Sequence, residues 1–254
     1  MIVAGNNIAT GQKVRANTER LLARYYFSKP EFIDGTAEFH QLCERYIPHG
    51  ETVLEIGAGP GNATSQFLAS RTRLVGVDIS DDVFTNEWVE QAATYDGRRL
   101  PFRDASFKAV VTNYVLEHIA NPRDHFKEVR RVLQPGGVYC FRTPNLWHYV
   151  TLASTVLPHS AHCSLVKWLQ NTNEQGHLPY PTFYSANTRG SIRKLSGIAG
   201  LKTLVLQMVE KEPVYGGVSG KLFLLMMAYE RIVNSSALFS GIRVNIFGVL
   251  QKPV

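Results

Sequence analysis

Thr52-Val53-Leu54-Glu55-Ile56-Gly57-Ala58-Gly59-Pro60-Gly61 is the stretch whose reading decides the fold. Its first half is a short apolar run with β-branched residues, which predicts a strand over 52–56 buried as in a parallel sheet. Three glycines then alternate with other residues, and the pattern turns helical from Asn62 to about Ser70. Glycines at such a turn let the backbone bend sharply and let a ligand lie directly against the main chain. A second strand over 73–77 ends in Asp78, seventeen residues after Gly61. An acid at the tip of strand two is placed to accept hydrogen bonds from both hydroxyls of a ribose. Strand, glycine turn, helix and acid together predict an adenosine-containing cofactor.

The glycine spacing says which one. A dinucleotide site wants G-x-G-x-x-G, whose amides at a helix N-terminus hold a pyrophosphate. Here Asn62 stands where the third glycine would fall, and Gly61 comes one residue early. The segment instead resembles the first motif of the class I S-adenosylmethionine-dependent methyltransferases, E/D-x-G-x-G-x-G, with Glu55, Gly57, Gly59 and Gly61 matching position for position. Three further matches follow in order. Asp96-Gly97-Arg98-Arg99-Leu100-Pro101-Phe102-Arg103-Asp104-Ala105-Ser106-Phe107 resembles the D-x-x-x-L-P-F-x-D-x-S-F segment of one large branch of that family. Val110 to Ile119 resembles its strand-four end and "LEHI" turn, and Leu133-Gln134-Pro135-Gly136-Gly137 its L-x-P-G-G turn. Lys108 departs from the aspartate usual after Ser-Phe, at the strand end away from the cofactor.

The resemblance implies S-adenosyl-L-methionine as cofactor and S-adenosyl-L-homocysteine as product. It implies a cofactor site made by Glu55, Gly57, Ala58, Gly59, Gly61, Asp78, Ile79, Asp96, Gly97, Asn113 and His118, with Asp96 and Gly97 at the adenine. It also implies a doubly wound α/β Rossmann-like sheet, mostly parallel with an antiparallel C-terminal edge strand, and helices on both faces.

Composition agrees with an α/β domain. The 254 residues are 44% hydrophobic and 19% charged, an ordinary globular balance. The N-terminal residues are polar, and the longest apolar run, Leu222–Tyr229, is far too short to cross a bilayer. Cys43, Cys140 and Cys163 form no paired framework, which predicts a reducing, cytoplasmic setting. Residues 51–97 hold eight acids and two bases, whereas residues 98–254 hold nineteen bases and eight acids. An acidic cofactor half suits a sulfonium cation. The basic remainder reads as solvated helix faces, with an acidic substrate or an anionic membrane surface as alternatives. Without a Lys/Arg block or aromatic-interleaved motif, no nucleic acid is expected.

Strand and helix alternate along the rest of the chain. Helices are predicted at 18–27 and 36–47, forming an N-terminal cap over residues 1–50 ahead of a methyltransferase domain at 51–254. A helix is predicted after the Ser80-Asp81-Asp82 cap, then strands near 93–95 and at 107–112, a helix at 122–133 and a strand at 137–142. Residues 144–187 break the rhythm with four prolines and four histidines. That insertion follows strand five, so it is expected to form a substrate lid, helical only near 165–169. A helix at 188–199, a strand at 201–209, a helix at 219–234 and a strand at 242–250 complete the chain, the last two strands pairing antiparallel. The helix near Leu222–Ile232 reads as packed on the sheet, with a membrane or dimer surface as the alternative.

Methyl transfer is an in-line displacement in which alignment supplies most of the rate, and a general base adds to it when the acceptor carries a proton. His118, beside the cofactor, and His148, just after strand five, are the candidate bases. Tyr25, Tyr26, Trp147 and His148 are the candidate substrate contacts. His159, His162, Cys163 and His177 have metal-ligand types but no closed four-ligand pattern, and no metal is expected. The leading reading is a small-molecule methyltransferase, a homodimer being compatible with it. A non-catalytic adenosyl-binding subunit and an NAD(P)-dependent oxidoreductase are the alternatives.

Overall fold

The computed structural model describes residues 19–156, 180–213 and 219–254. Contacts divide the chain into two compact units, each built from separated stretches. One comprises Met1–Gly35, Trp147–Pro179 and Glu210–Arg243; the other comprises Thr36–Leu146, Tyr180–Val209 and Val244–Val254. This division differs from the expected boundary at residue 50. Helix α1 (Gly35–Tyr46) sends Phe39, Leu42 and Cys43 into the core of the second unit.

That second unit holds a seven-stranded sheet of β1 (Thr52–Ile56), β2 (Arg73–Asp78), β3 (Gln91–Thr94), β4 (Phe107–Asn113), β5 (Leu133–Pro144), β6 (Lys202–Val209) and β7 (Asn245–Gln251). The strand order is β3-β2-β1-β4-β5-β7-β6. β1 to β5 run parallel, and β7 runs antiparallel to both β5 and β6, so the C-terminal pair forms the antiparallel end of the sheet. Alternation along each strand feeds two cores. Leu54, Ile56, Val110, Tyr139 and Phe141 face one side with Phe126 and Val129 of α3 (Pro122–Val132) and Ile192 of α5 (Arg189–Ala199). Val53, Leu74, Val111, Cys140 and Val249 face the other, with α1 and Leu68 of α2 (Ala63–Ala69). A strand buried on both faces has little room for polar residues, which is why these segments read so plainly in the sequence.

Three local expectations are corrected. The chain after Ser80 makes only a 3₁₀ turn, Asp81–Thr85, capped by the Ser80 hydroxyl. Its one buried residue is Val83, and Asn86 then ends it by accepting from the Trp88 amide, leaving no apolar face to carry a longer helix. β5 begins at Leu133, before the Gly136-Gly137 turn rather than after it. Within the insertion, α4 (Tyr149–Val156) is helical although its Val, Thr and aromatic residues are modest helix formers. The segment expected to be helical near 165–169 lies outside the described residues.

The other unit contains a π-helical turn, Ala23–Phe27, together with α4 and the long helix α6 (Gly220–Ser235). α6, expected to pack on the sheet, is grouped by its contacts with this unit. It buries Phe223, Met226, Glu230 and Val233 along one side.

Candidate active site

Parallel sheets bind ligands outside the carboxyl ends of their strands, at the point where strand order reverses. Here the reversal falls between β1 and β4, and a cavity of about 670 Å³ lies at those strand ends, within the sheet unit. Of the eleven expected cofactor residues it collects seven: Gly57, Asp78, Ile79, Asp96, Gly97, Asn113 and His118.

Asp78 ends β2 with one oxygen accepting from the Gly59 amide at 2.9 Å and the other from the Ser80 amide at 3.0 Å. The carboxylate therefore fixes the glycine turn and still has lone pairs for a diol. Asp96 accepts from the Arg98 and Arg99 amides, and these bonds hold its carboxyl below the usual carboxylate range. The same turn carries Gly97 at φ +75°. Across the cavity, the Asn113 amide nitrogen donates to Thr64 Oγ1 at 3.0 Å. Its carbonyl oxygen is buried with no partner. A buried acceptor without a donor costs free energy, so it is suited to an N–H delivered by a ligand.

His118 sits in the tight turn Leu116–His118 after β4. Its Nδ1 lies 2.9 Å from the Pro181 carbonyl. A carbonyl only accepts, so Nδ1 carries the hydrogen and Nε2 of the neutral ring keeps its lone pair. Pro181 and Tyr180 form part of the cavity wall, tied down where the Phe183 and Tyr184 amides donate to the Glu117 carbonyl.

Glu55, Ala58, Gly59 and Gly61 do not line the cavity. Glu55 is buried and accepts from Asn62 Nδ2, whose oxygen in turn caps α2 through the Thr64 and Ser65 amides. Its role in the structure is to hold up the turn. Burial pushes its carboxyl up to about 7, against the stabilising pull of Ser65 and Asn62. Tyr25, Tyr26, Trp147 and His148 belong to the other unit, and none lines this cavity. Tyr26 is buried there and donates to Glu230 at 3.0 Å. Trp147 is 56% exposed. His148 is buried against the Tyr149 and Tyr229 rings, 3.8 Å from Glu210, and burial lowers its pKa to about 4. The histidines at 159, 162 and 177 and Cys163 lie outside the described residues.

Tyr95, Tyr114, Val115, Asn121 and His125 line the cavity without having been anticipated. Tyr95 directly precedes the Asp96 turn, and Val115 precedes the His118 turn, so the motif neighbours were the available signal. Tyr114 adopts φ +58°, a strained value for a non-glycine residue. Its hydroxyl donates to Asn245, and the buried Arg142 guanidinium lies 4.4 Å from its ring centre.

Glu117 gives a pH test of the site's support. It is buried, accepts from Thr143 Oγ1 at 3.0 Å, and burial pushes its carboxyl up to about 7. A folded pKa raised above the ordinary 4.5 gives stability that is present below 4.5 and lost as pH rises through 7. Glu117→Gln keeps an acceptor for Thr143 and has no charge to bury. It is therefore expected to be more stable than the parent at pH 8, by on the order of 3 kcal/mol at most, and to melt at a higher temperature there. The gap should close by pH 4.5, and a constant difference across this range would refute the assignment.

Comparison with known proteins places this geometry. A family model described as "Methyltransferase domain" matches residues 54–141, which run from β1 into β5. This part of the chain is similar to methyltransferase domains. A demethylmenaquinone methyltransferase from Clavibacter sepedonicus is 35% identical over 106 residues, 37% of this chain and 43% of its own length. The chain spans roughly a third to a half of the lengths of the curated relatives it matches. Among solved structures, a SAM-dependent methyltransferase from Methanosarcina mazei superposes with a TM-score of 0.55 at 15% identity, covering 84% of this chain and 97% of that one. A phosphoethanolamine N-methyltransferase from Haemonchus contortus, in complex with S-adenosyl-L-methionine, gives 0.53 at 15% identity over 85% and 52%. At such identities the structures establish the shared fold.

The cofactor that goes with this domain, S-adenosyl-L-methionine, fits the residues present. Asp78 suits the ribose hydroxyls, the Asp96–Gly97 turn the adenine, and the unpartnered Asn113 oxygen the cofactor's amino group. Asp78, Asp96 and Asp124 outnumber Arg98 among the cavity's charged residues, a balance that complements a sulfonium cation.

Proposed function

We propose that this methyltransferase domain moves a methyl group from S-adenosyl-L-methionine to a small-molecule acceptor, with His118 as general base. The observation that carries the reading is one cavity lined by Asp78, the Asp96–Gly97 turn, Asn113 and His118. When bound, the cofactor supplies an electrophilic methyl group on sulfur. The chain's part is to hold both reactants in line and to take a proton from the acceptor. The hydrogen bond to Pro181 orients the imidazole and leaves Nε2 as the basic atom. Demethylmenaquinone methyltransferase, a relative by sequence, is named for a small-molecule acceptor, which supports that class here. Buried free thiols at Cys43 and Cys140 support a reducing, cytoplasmic setting.

Calorimetric titration with S-adenosylmethionine, S-adenosylhomocysteine and NADH, followed by a screen of phenol, enol and amine acceptors, tests this. Micromolar binding of the sulfur compounds with turnover of an acceptor supports it. Binding without turnover of any acceptor would favour an adenosyl-binding subunit. For the base, His118→Asn is expected to lower turnover roughly 10²–10⁴-fold while changing homocysteine-product affinity far less. Equal losses in both would make His118 a cofactor contact only.

A further inference from the structure

We infer that α6 and the turn after it form a docking surface for an anionic lipid bilayer. At 100° per residue, Lys221, Leu224, Leu225, Ala228 and Ile232 fall within about 100° of arc, opposite the buried Phe223, Met226 and Val233. Leu225 is 68% and Ile232 57% exposed. The chain then makes a 3₁₀ turn, Ala237–Ile242, that buries none of its residues and presents Leu238 at 90% exposure beside exposed Phe239 and Ile242. Apolar side chains standing out along one helix face and the next turn are costly in water and are what an interfacial helix inserts among lipid headgroups.

Charge selects the occupant. Lys221 is exposed on the apolar arc; Arg231 beside it pairs with Glu230 at 3.3 Å, and Arg243 after the turn donates to the Val233 carbonyl. The only acid in residues 219–243 is Glu230, which is buried and engaged by Tyr26, Asn234 and Arg231. A second copy packed on this face would set Lys221 against Lys221, the face's one carboxylate, Glu230, being buried and already engaged. An anionic headgroup layer complements both the bases and the apolar arc. No helix of the described residues is long and apolar enough to span a membrane, so the contact is a surface one. This inference is independent of the methyl-transfer reading.

The test is co-sedimentation of the full chain with vesicles of phosphatidylcholine alone or containing roughly a third phosphatidylglycerol. Binding to the anionic vesicles, weakened by salt and weaker on neutral ones, is expected. The double variant Leu225→Asp/Leu238→Asp should lower vesicle binding at least about tenfold, and Lys221→Glu should lower it on anionic vesicles alone. Calorimetry with S-adenosylhomocysteine on the same variants reports the fold and cofactor site separately. No vesicle binding by the parent, equal binding by the double variant, or a parent dimer abolished by the same substitutions in sedimentation velocity would each overturn the inference.

Discussion

Gly57→Ala is expected to weaken S-adenosylhomocysteine binding at least about a hundredfold, or some 2.7 kcal/mol. Two independent costs converge on this residue. Its φ of +79° is one that an L-residue adopts only with strain, roughly 1–2 kcal/mol. An added Cβ would also stand 2.4 Å from Val115 Cγ2. Val115 is β-branched and stiff about its first torsion, and it lines the cavity. Relief therefore comes from turning Val115 into the space the cofactor needs or from shifting the loop off the Asp78 carboxylate. The two causes separate in Gly57→Ala/Val115→Ala, which removes the clash and keeps the strain. Partial recovery of affinity in the double variant is expected. Parent-like affinity in Gly57→Ala itself would mean that the glycine turn is not part of the cofactor site.

Asp78→Ala is expected to cost at least tenfold in cofactor affinity from the lost ribose contact, about 1.4 kcal/mol. The structure adds to this, because the same carboxylate receives the Gly59 and Ser80 amides. Removing it leaves two backbone donors without their acceptor and frees the turn that carries Gly57, each lost bond costing on the order of 1 kcal/mol. Asp78→Asn keeps one acceptor oxygen and should fall between parent and alanine variant. Calorimetry with S-adenosylhomocysteine on both, alongside thermal midpoints, measures the order. Unchanged affinity in a folded Asp78→Ala would place the ribose elsewhere.

Much of the sheet was legible because two-sided burial writes itself into sequence. Thr52–Ile56 was bounded by its apolar run on one side and by glycines on the other, and both limits are local. Asp78 was legible for a related reason, being an acid at the end of an apolar strand, whereas Asp96 was legible only through the motif it opens; both line the cavity. Glu55 shows the limit of motif reading. An acid before a glycine turn can serve the ligand or the turn, and in the structure it holds Asn62. Pro181 was invisible as a site residue because it reaches His118 across 63 positions of sequence, and no local pattern announces such a contact. The division of the chain between units was hidden likewise, since Tyr26 finds its partner at Glu230, 204 positions away.

The place of β7 bears on how the protein is made. β5 and β6 do not pair with each other; residues 245–251 fill the space between them. Until a ribosome has released those residues, β5 has an open edge and β6 has no neighbour. Pairings that join distant parts of a chain form slowly, and an unpaired hydrophobic edge is where nascent chains stick together. Premature termination ahead of Asn245 should thus yield aggregates, because two of the seven strands, β7 itself and the β6 that pairs only with it, are then missing from the sheet.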